Sequence, residues 1–153
     1  MINLHVRRWL TVFGFVLAFA GGLTGCGANP VVPSATSHDL SMAPLSGMPA
    51  DVQHSPVVVR QAYQFAAANP GMLEQIPCYC GCGAIGHTSN YDCYVKSRDT
   101  AGAINFDTHA LGCSLCVDIT QDTMRLLREG KSISEIRGYV DGTYAKYGTS
   151  NMP

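Results

Sequence analysis

Residues 77–83 read Pro-Cys-Tyr-Cys-Gly-Cys-Gly. Three thiols at alternate positions constrain the chain more than any other feature. A disulfide between residues two apart is strained, so Cys78, Cys80 and Cys82 each need a distant partner. Three distant candidates follow, at Cys93, Cys113 and Cys116. A fully bridged framework consumes all six and leaves no reactive pair. Otherwise the six thiols stay open as ligands or nucleophiles. Two imidazoles stand among them, His87 between Cys82 and Cys93, and His109 four residues before Cys113.

Soft thiolates with some imidazole select Cu(I), zinc or iron–sulfur centres over magnesium or calcium. Gly81 and Gly83 let the chain wrap tightly round an ion. Cys113-Ser114-Leu115-Cys116 adds a CxxC, a spacing that serves zinc and redox chemistry alike. The candidate metal ligands are therefore Cys78, Cys80, Cys82, Cys93, Cys113, Cys116, His87 and His109. Eight donors exceed one tetrahedral site and supply two mononuclear sites or one polynuclear cluster. Copper or zinc is the expected ion. Two other readings stay open: three structural disulfides in a partner-binding domain, and a redox-active Cys113/Cys116 pair. A CxxC at a helix start favours thiolate, so Cys113 or Cys116 is expected to be the most reactive thiol.

The amino end reads as an address. Arg7 and Arg8 precede an apolar run, Leu10 to Ala20, of signal-peptide length and too short to span a bilayer. Leu23-Thr24-Gly25-Cys26 resembles the lipobox of bacterial lipoproteins. That resemblance implies cleavage after residue 25, acylation of Cys26, a membrane partner through the anchor, and a domain outside the cytoplasm in the bacterial cell envelope. Residues 26–54, with Pro30, Pro33, Pro44 and Pro49, read as a flexible linker. His38, Met42, Met48 and His54 read as scattered linker residues.

The domain is expected over 55–153. Ser55-Pro56 opens a helix with Val58, Ala62, Phe65 and Ala66 on one face, and Asn69-Pro70-Gly71 stops it. A short helical turn follows at Met72 to Ile76. Residues 77–112 lack periodicity, and a loop of that length needs something to hold it. Ser114 to Glu129 carries Leu115, Ile119, Met124 and Leu127 on its inner stripe, with Gly130 beyond its end. Ser132 and Glu135 form a capping box, and Ile136, Tyr139, Val140, Tyr144 and Tyr147 share the next face. An antiparallel helical hairpin and an all-α domain follow from this reading.

Charge and missing motifs narrow the function. Ten basic residues against eleven acidic ones give a net charge of -1, so no footprint for nucleic acid exists. No GxSxG, Gly-rich phosphate loop or HExxH motif is present. A binding role is thus favoured over an enzymatic one. Pro77 to Gly83, with Gly86 to Cys93 and Gly112 to Asp118, resembles the bacterial PCYCGC-motif lipoprotein family. Cys113 to Gly148 is similar to the periplasmic thiol reductase of cytochrome c maturation, a three-helix protein. That likeness rests on the CxxC, Arg128 to Ser132, Glu135-Ile136-Arg137, Tyr144 and Tyr147-Gly148. It implies an all-helical fold; separately, another envelope metalloprotein or redox protein is the expected partner. Gly112 and Val117 stand where that family has Arg and Gln.

Overall fold

The computed structural model describes residues 39–152. The expected signal peptide, Cys26 and the first part of the expected linker lie outside the described residues. Among the described residues, five α-helices and one β-hairpin make up the fold: α1 Ala50–Gln53, α2 Val57–Ala68, α3 Pro70–Leu73, β1 Val95–Arg98, β2 Ile104–Phe106, α4 Ser114–Arg128 and α5 Ile133–Tyr144. Among the described residues no helix is long and apolar enough to cross a membrane.

The all-α expectation is corrected by the hairpin. β1 and β2 pair antiparallel, Val95 opposite Phe106 and Arg98 opposite Ile104, with an irregularity between Val95 and Ser97. Each strand is too short to show an alternating pattern in sequence. The turn does the holding instead. Asp99 Oδ1 accepts from Ala101 N at 2.9 Å and Ala103 N at 2.7 Å, an aspartate turn. Arg98 Nη2 donates to Ala67 O at 2.7 Å, tying the hairpin to the end of α2. The fold is therefore mixed α/β, and the hairpin carries the chain from Cys93 back to His109.

The core is the seam of α2, α4 and α5. Ala62, Tyr63, Phe65 and Ala66 of α2 meet Ile119 and Met124 of α4, with Ile136 and Val140 of α5 behind them; all are buried. Burial of each large apolar side chain contributes roughly 1.5–3 kcal/mol. The capping box at α5 is present, Glu135 N donating to Ser132 Oγ at 3.3 Å and Ser132 N to Glu135 Oε2 at 2.8 Å. Tyr139 and Tyr147 do not share the inner face of α5. Both are exposed, and Arg125 lies over the Tyr139 ring. Val58 of α2 is exposed too.

Residues 39–54, read from the sequence as linker, pack on this body. Met48 and Val52 are buried, Ala43 N donates to Gln64 O at 3.0 Å, and Gln53 Nε2 donates to Met48 O at 2.7 Å. Two apolar side chains a turn apart are too weak a pattern to distinguish a docked segment from a tether.

The end of the chain returns to the Cys run. A Cβ on Gly148 would lie 2.7 Å from Tyr79 O, so the tail passes closer than a side chain allows. Gly148→Ala is expected to cost about 2 kcal/mol through this clash. Urea denaturation checks it; an unchanged midpoint would show that the tail can move aside freely.

Candidate metal centre

Left-handed backbone at Gly81, φ 84°, turns the Cys run into the 3-10 turn that begins at Cys82. A side chain at that φ is strained, which explains the glycine. On one side Cys78 and Cys80 face the first turn of α4. Cys78 Sγ lies 3.4 Å from Cys80 Sγ and 3.5 Å from Cys116 Sγ, and Cys80 Sγ is 3.5 Å from Cys116 Sγ. On the other side Cys82 begins a 3-10 turn and its sulfur lies 3.7 Å from that of Cys93. Cys113, the residue before α4, completes the group with Cys113 Sγ 3.2 Å from Cys116 Sγ.

The two histidines arrive from separate loops. His109 opens a 3-10 turn after β2, with Nε2 3.4 Å from Cys80 Sγ. His87 lies edge to face against it, ring centroids 5.2 Å apart. Its Nε2 is 3.8 Å from Asp107 Oδ2. Its Nδ1 is buried and has no hydrogen-bond partner. One ring nitrogen of His87 lies within 4.8 Å of the Cys82 and Cys93 sulfurs, which makes His87 a candidate ligand. The Asp107 carboxylate stands beside the imidazole but beyond hydrogen-bond distance.

All eight residues singled out in the sequence are thus brought together. Their ligand atoms fall into three sets, each within 4.8 Å: Cys78, Cys80, Cys82 and Cys93; Cys80, His109, Cys113 and Cys116; and Cys82, His87, Cys93 and His109. All six cysteines among the described residues are free thiols. A disulfide framework gives each sulfur one partner. Here Cys78, Cys80 and Cys116 form a near-equilateral triangle in which no pair is preferred. Sulfurs round one zinc at a Zn–S length of about 2.3 Å stand roughly 3.8 Å apart, so the spacing suits ligands of an ion. The cluster can hold a metal ion.

The thiols ionise unequally. Cys80 is pushed down to about 2, first by the Cys93 thiol and then by His109, Cys82 and Cys78. Cys116 is lowered by Cys78 and Cys93. Cys93 is raised, because Cys116, Cys78, Cys80 and Cys82 crowd it with competing sulfurs. Cys82 is pushed up to about 11, chiefly by Cys78. Cys113 is raised by burial, which outweighs its place at the helix start. The expectation of a most reactive thiol at Cys113 or Cys116 therefore shifts. Cys113 is raised, Cys116 is lowered but fully buried, and Cys80 is both lowered and half-buried. In reduced, metal-free protein at pH 6, iodoacetamide is expected to label Cys80 before Cys113. Peptide mass spectrometry reads the order, and labelling of Cys113 first would contradict it.

Several supporting residues carried no signal in the sequence reading. Asn151 is the most connected. Its Oδ1 accepts from Cys78 N at 2.7 Å, its Nδ2 donates to Ser89 O at 3.0 Å and lies 3.5 Å from Cys82 Sγ, and its N donates to Cys78 O at 3.0 Å. Beneath the triangle, Tyr94 Oη donates to Cys116 O at 2.8 Å, and Thr120 Oγ1 donates to Asn90 Oδ1 at 2.8 Å. Asp107 Oδ1 accepts from His109 N at 2.7 Å. An aspartate two residues before a histidine is a turn signal that could have been used.

Fold and site together define a small Cys-rich α/β domain built round a thiol–imidazole cluster with metal-binding capacity. The chain belongs to the family described as a protein of unknown function with PCYCGC motif, whose profile matches residues 16–152. No curated protein and no solved structure matches it. The likeness to the cytochrome c maturation reductase rests on the residues quoted for it.

Proposed function

We propose that this protein is an exported lipoprotein, anchored at Cys26, that holds copper or zinc at its Cys/His cluster for storage, delivery or defence in the bacterial cell envelope. The sulfur triangle of Cys78, Cys80 and Cys116, flanked by Cys113 and His109, is the observation that carries the reading. Six thiols and two imidazoles form a soft donor set, without a carboxylate among the three ligand sets. A sulfide-containing iron cluster holds its thiolates further apart than these, so a bare ion suits the spacing better. The charge of -1 and the mild acidic excess left without Arg7 and Arg8 fit a role without nucleic acid.

Metal content tests the reading. Protein purified from an export-competent host is expected to carry stoichiometric copper or zinc, and a Cys78→Ser, Cys80→Ser, Cys82→Ser variant to carry none. Metal-free wild type with three stable disulfides would overturn the proposal. The anchor is tested separately: Cys26→Ala should move the protein out of the membrane fraction, and full retention there would contradict lipidation.

A thiol–disulfide role is favoured by one observation, the 3.2 Å separation of Cys113 and Cys116 sulfurs at a helix start. It needs Cys113 as the exposed attacking thiol, and burial holds that thiol protonated. A mixed disulfide trapped by Cys116→Ser would move the balance toward it.

A further inference from the structure

The first two donor sets, Cys78, Cys80, Cys82, Cys93 and Cys80, His109, Cys113, Cys116, contain four ligands each and share only Cys80. Either set alone satisfies a tetrahedral ion. Resting on the metal-binding reading above, we propose that the cluster is a thiolate-bridged polynuclear centre holding at least two soft closed-shell ions per chain. Cys80 bridges an inner ion on Cys78, Cys82 and Cys93 to an outer ion on His109, Cys113 and Cys116.

The choice of Cys80 follows from chemistry as well as position. A thiolate sulfur has lone pairs for two ions, whereas each imidazole nitrogen has one. His109 belongs to the outer and the third set, but its facing nitrogen serves one ion at a time. Cys80 Sγ sits within 3.5 Å of Cys78, Cys116 and His109 donors at once. Donor count argues the same way. Six thiols and two imidazoles are twice what one tetrahedral ion can use, so a single ion would leave half of the cluster unengaged.

The two positions differ in access. Cys78, Cys82 and Cys93 are 0%, 2% and 0% exposed, whereas on the outer side only Cys116 is fully buried and Cys80, His109 and Cys113 are half-buried. The outer ion is therefore the exchangeable one and the inner ion the retained one, with Cys80 the ligand through which a metal passes inward. The third set adds a single new donor, His87, to those already used. It can host a further ion only at a coordination number below four, which Cu(I) accepts and zinc does not favour. Zinc should saturate at two ions, and Cu(I) should reach two or more.

Native mass spectrometry of the full, reduced chain under anaerobic conditions tests this, with Cu(I) supplied as its acetonitrile complex and Zn(II) as its chloride. At least two ions per chain are expected for copper and two for zinc. A competing chelator should remove one ion several-fold faster than the other, and Cys113→Ser should bind one zinc ion fewer. Copper X-ray absorption of the loaded wild type should contain a metal–metal scattering path. Saturation at a single ion, or two ions without that path, would overturn the bridged centre while leaving metal binding intact. A chain that takes up no ion at all would instead sink the metal-binding reading. Unchanged zinc stoichiometry in Cys113→Ser would refute the assignment of the outer ion.

Discussion

Loading the reduced chain with Cu(I) or Zn(II) is expected to raise its melting temperature by roughly 10–20 °C. An ion that binds the native state alone stabilises it by about 4 kcal/mol at a thousandfold excess over its dissociation constant. For a domain of this size each kcal/mol shifts the midpoint by roughly 2–8 °C. The stabilisation should be local in origin. Packing of Tyr63, Phe65, Ile119, Ile136 and Val140 holds α2, α4 and α5 together without metal. By contrast, the segment from Pro77 to Cys93 is built of short 3-10 turns and leans on its thiols. Hydrogen exchange of the chelated protein should therefore rise across 77–93 and around His109, and stay low in α4. Equal melting with and without metal, in verified reduced protein, would mean that the loop is held by something other than the cluster.

Asn151→Ala should be the most damaging substitution outside the ligands. It removes the acceptor of Cys78 N and the donor to Ser89 O, and it takes an N–H away from the Cys82 sulfur. Cys78 is completely buried, so its N–H would be left unsatisfied. Two lost bonds and one stranded donor amount to about 3 kcal/mol. Because the amide fixes the first shell from outside, metal affinity should fall roughly 10–100-fold. Denaturant unfolding and competitive metal titration read the two effects on one preparation. A variant with normal affinity and normal stability would show that the tail merely rests on the loop.

The parts of this molecule that were legible in sequence are those that declare themselves within a few residues. The α4–α5 hairpin announced itself through Gly130, the Ser132–Glu135 capping box and the Ile119/Met124 stripe, and each is found in place. The ligand residues were visible because eight soft donors concentrated in one stretch have few other uses. What stayed hidden depends on contacts between distant segments. β1 and β2 are too short for a period, and their pairing is fixed by an aspartate turn and by Arg98 reaching α2. Asn151 looks like any polar residue near a chain end until the tail is seen under the Cys run. Asp107 acts on two histidines, one of them twenty residues away in sequence. The order of the thiols depends on distant neighbours in the same way. A helix start argues for an ionised Cys113 or Cys116; Cys116 is lowered and Cys113 raised, while Cys93 and His109 from two other segments lower Cys80.

The central claim is that sulfurs from 78–82, 93 and 113–116 act together on one bound metal centre. Counting reactive thiols on a single reduced sample, before and after Cu(I) is added, tests it most directly. Six thiols among residues 78–116 should react without metal under denaturing conditions, and nearly all should be protected when the loaded native protein is challenged. Protection that chelator reverses, in step with the copper released, is the predicted result. Full reactivity in the presence of bound copper, or thiols already lost to disulfides before any metal is added, would contradict the account.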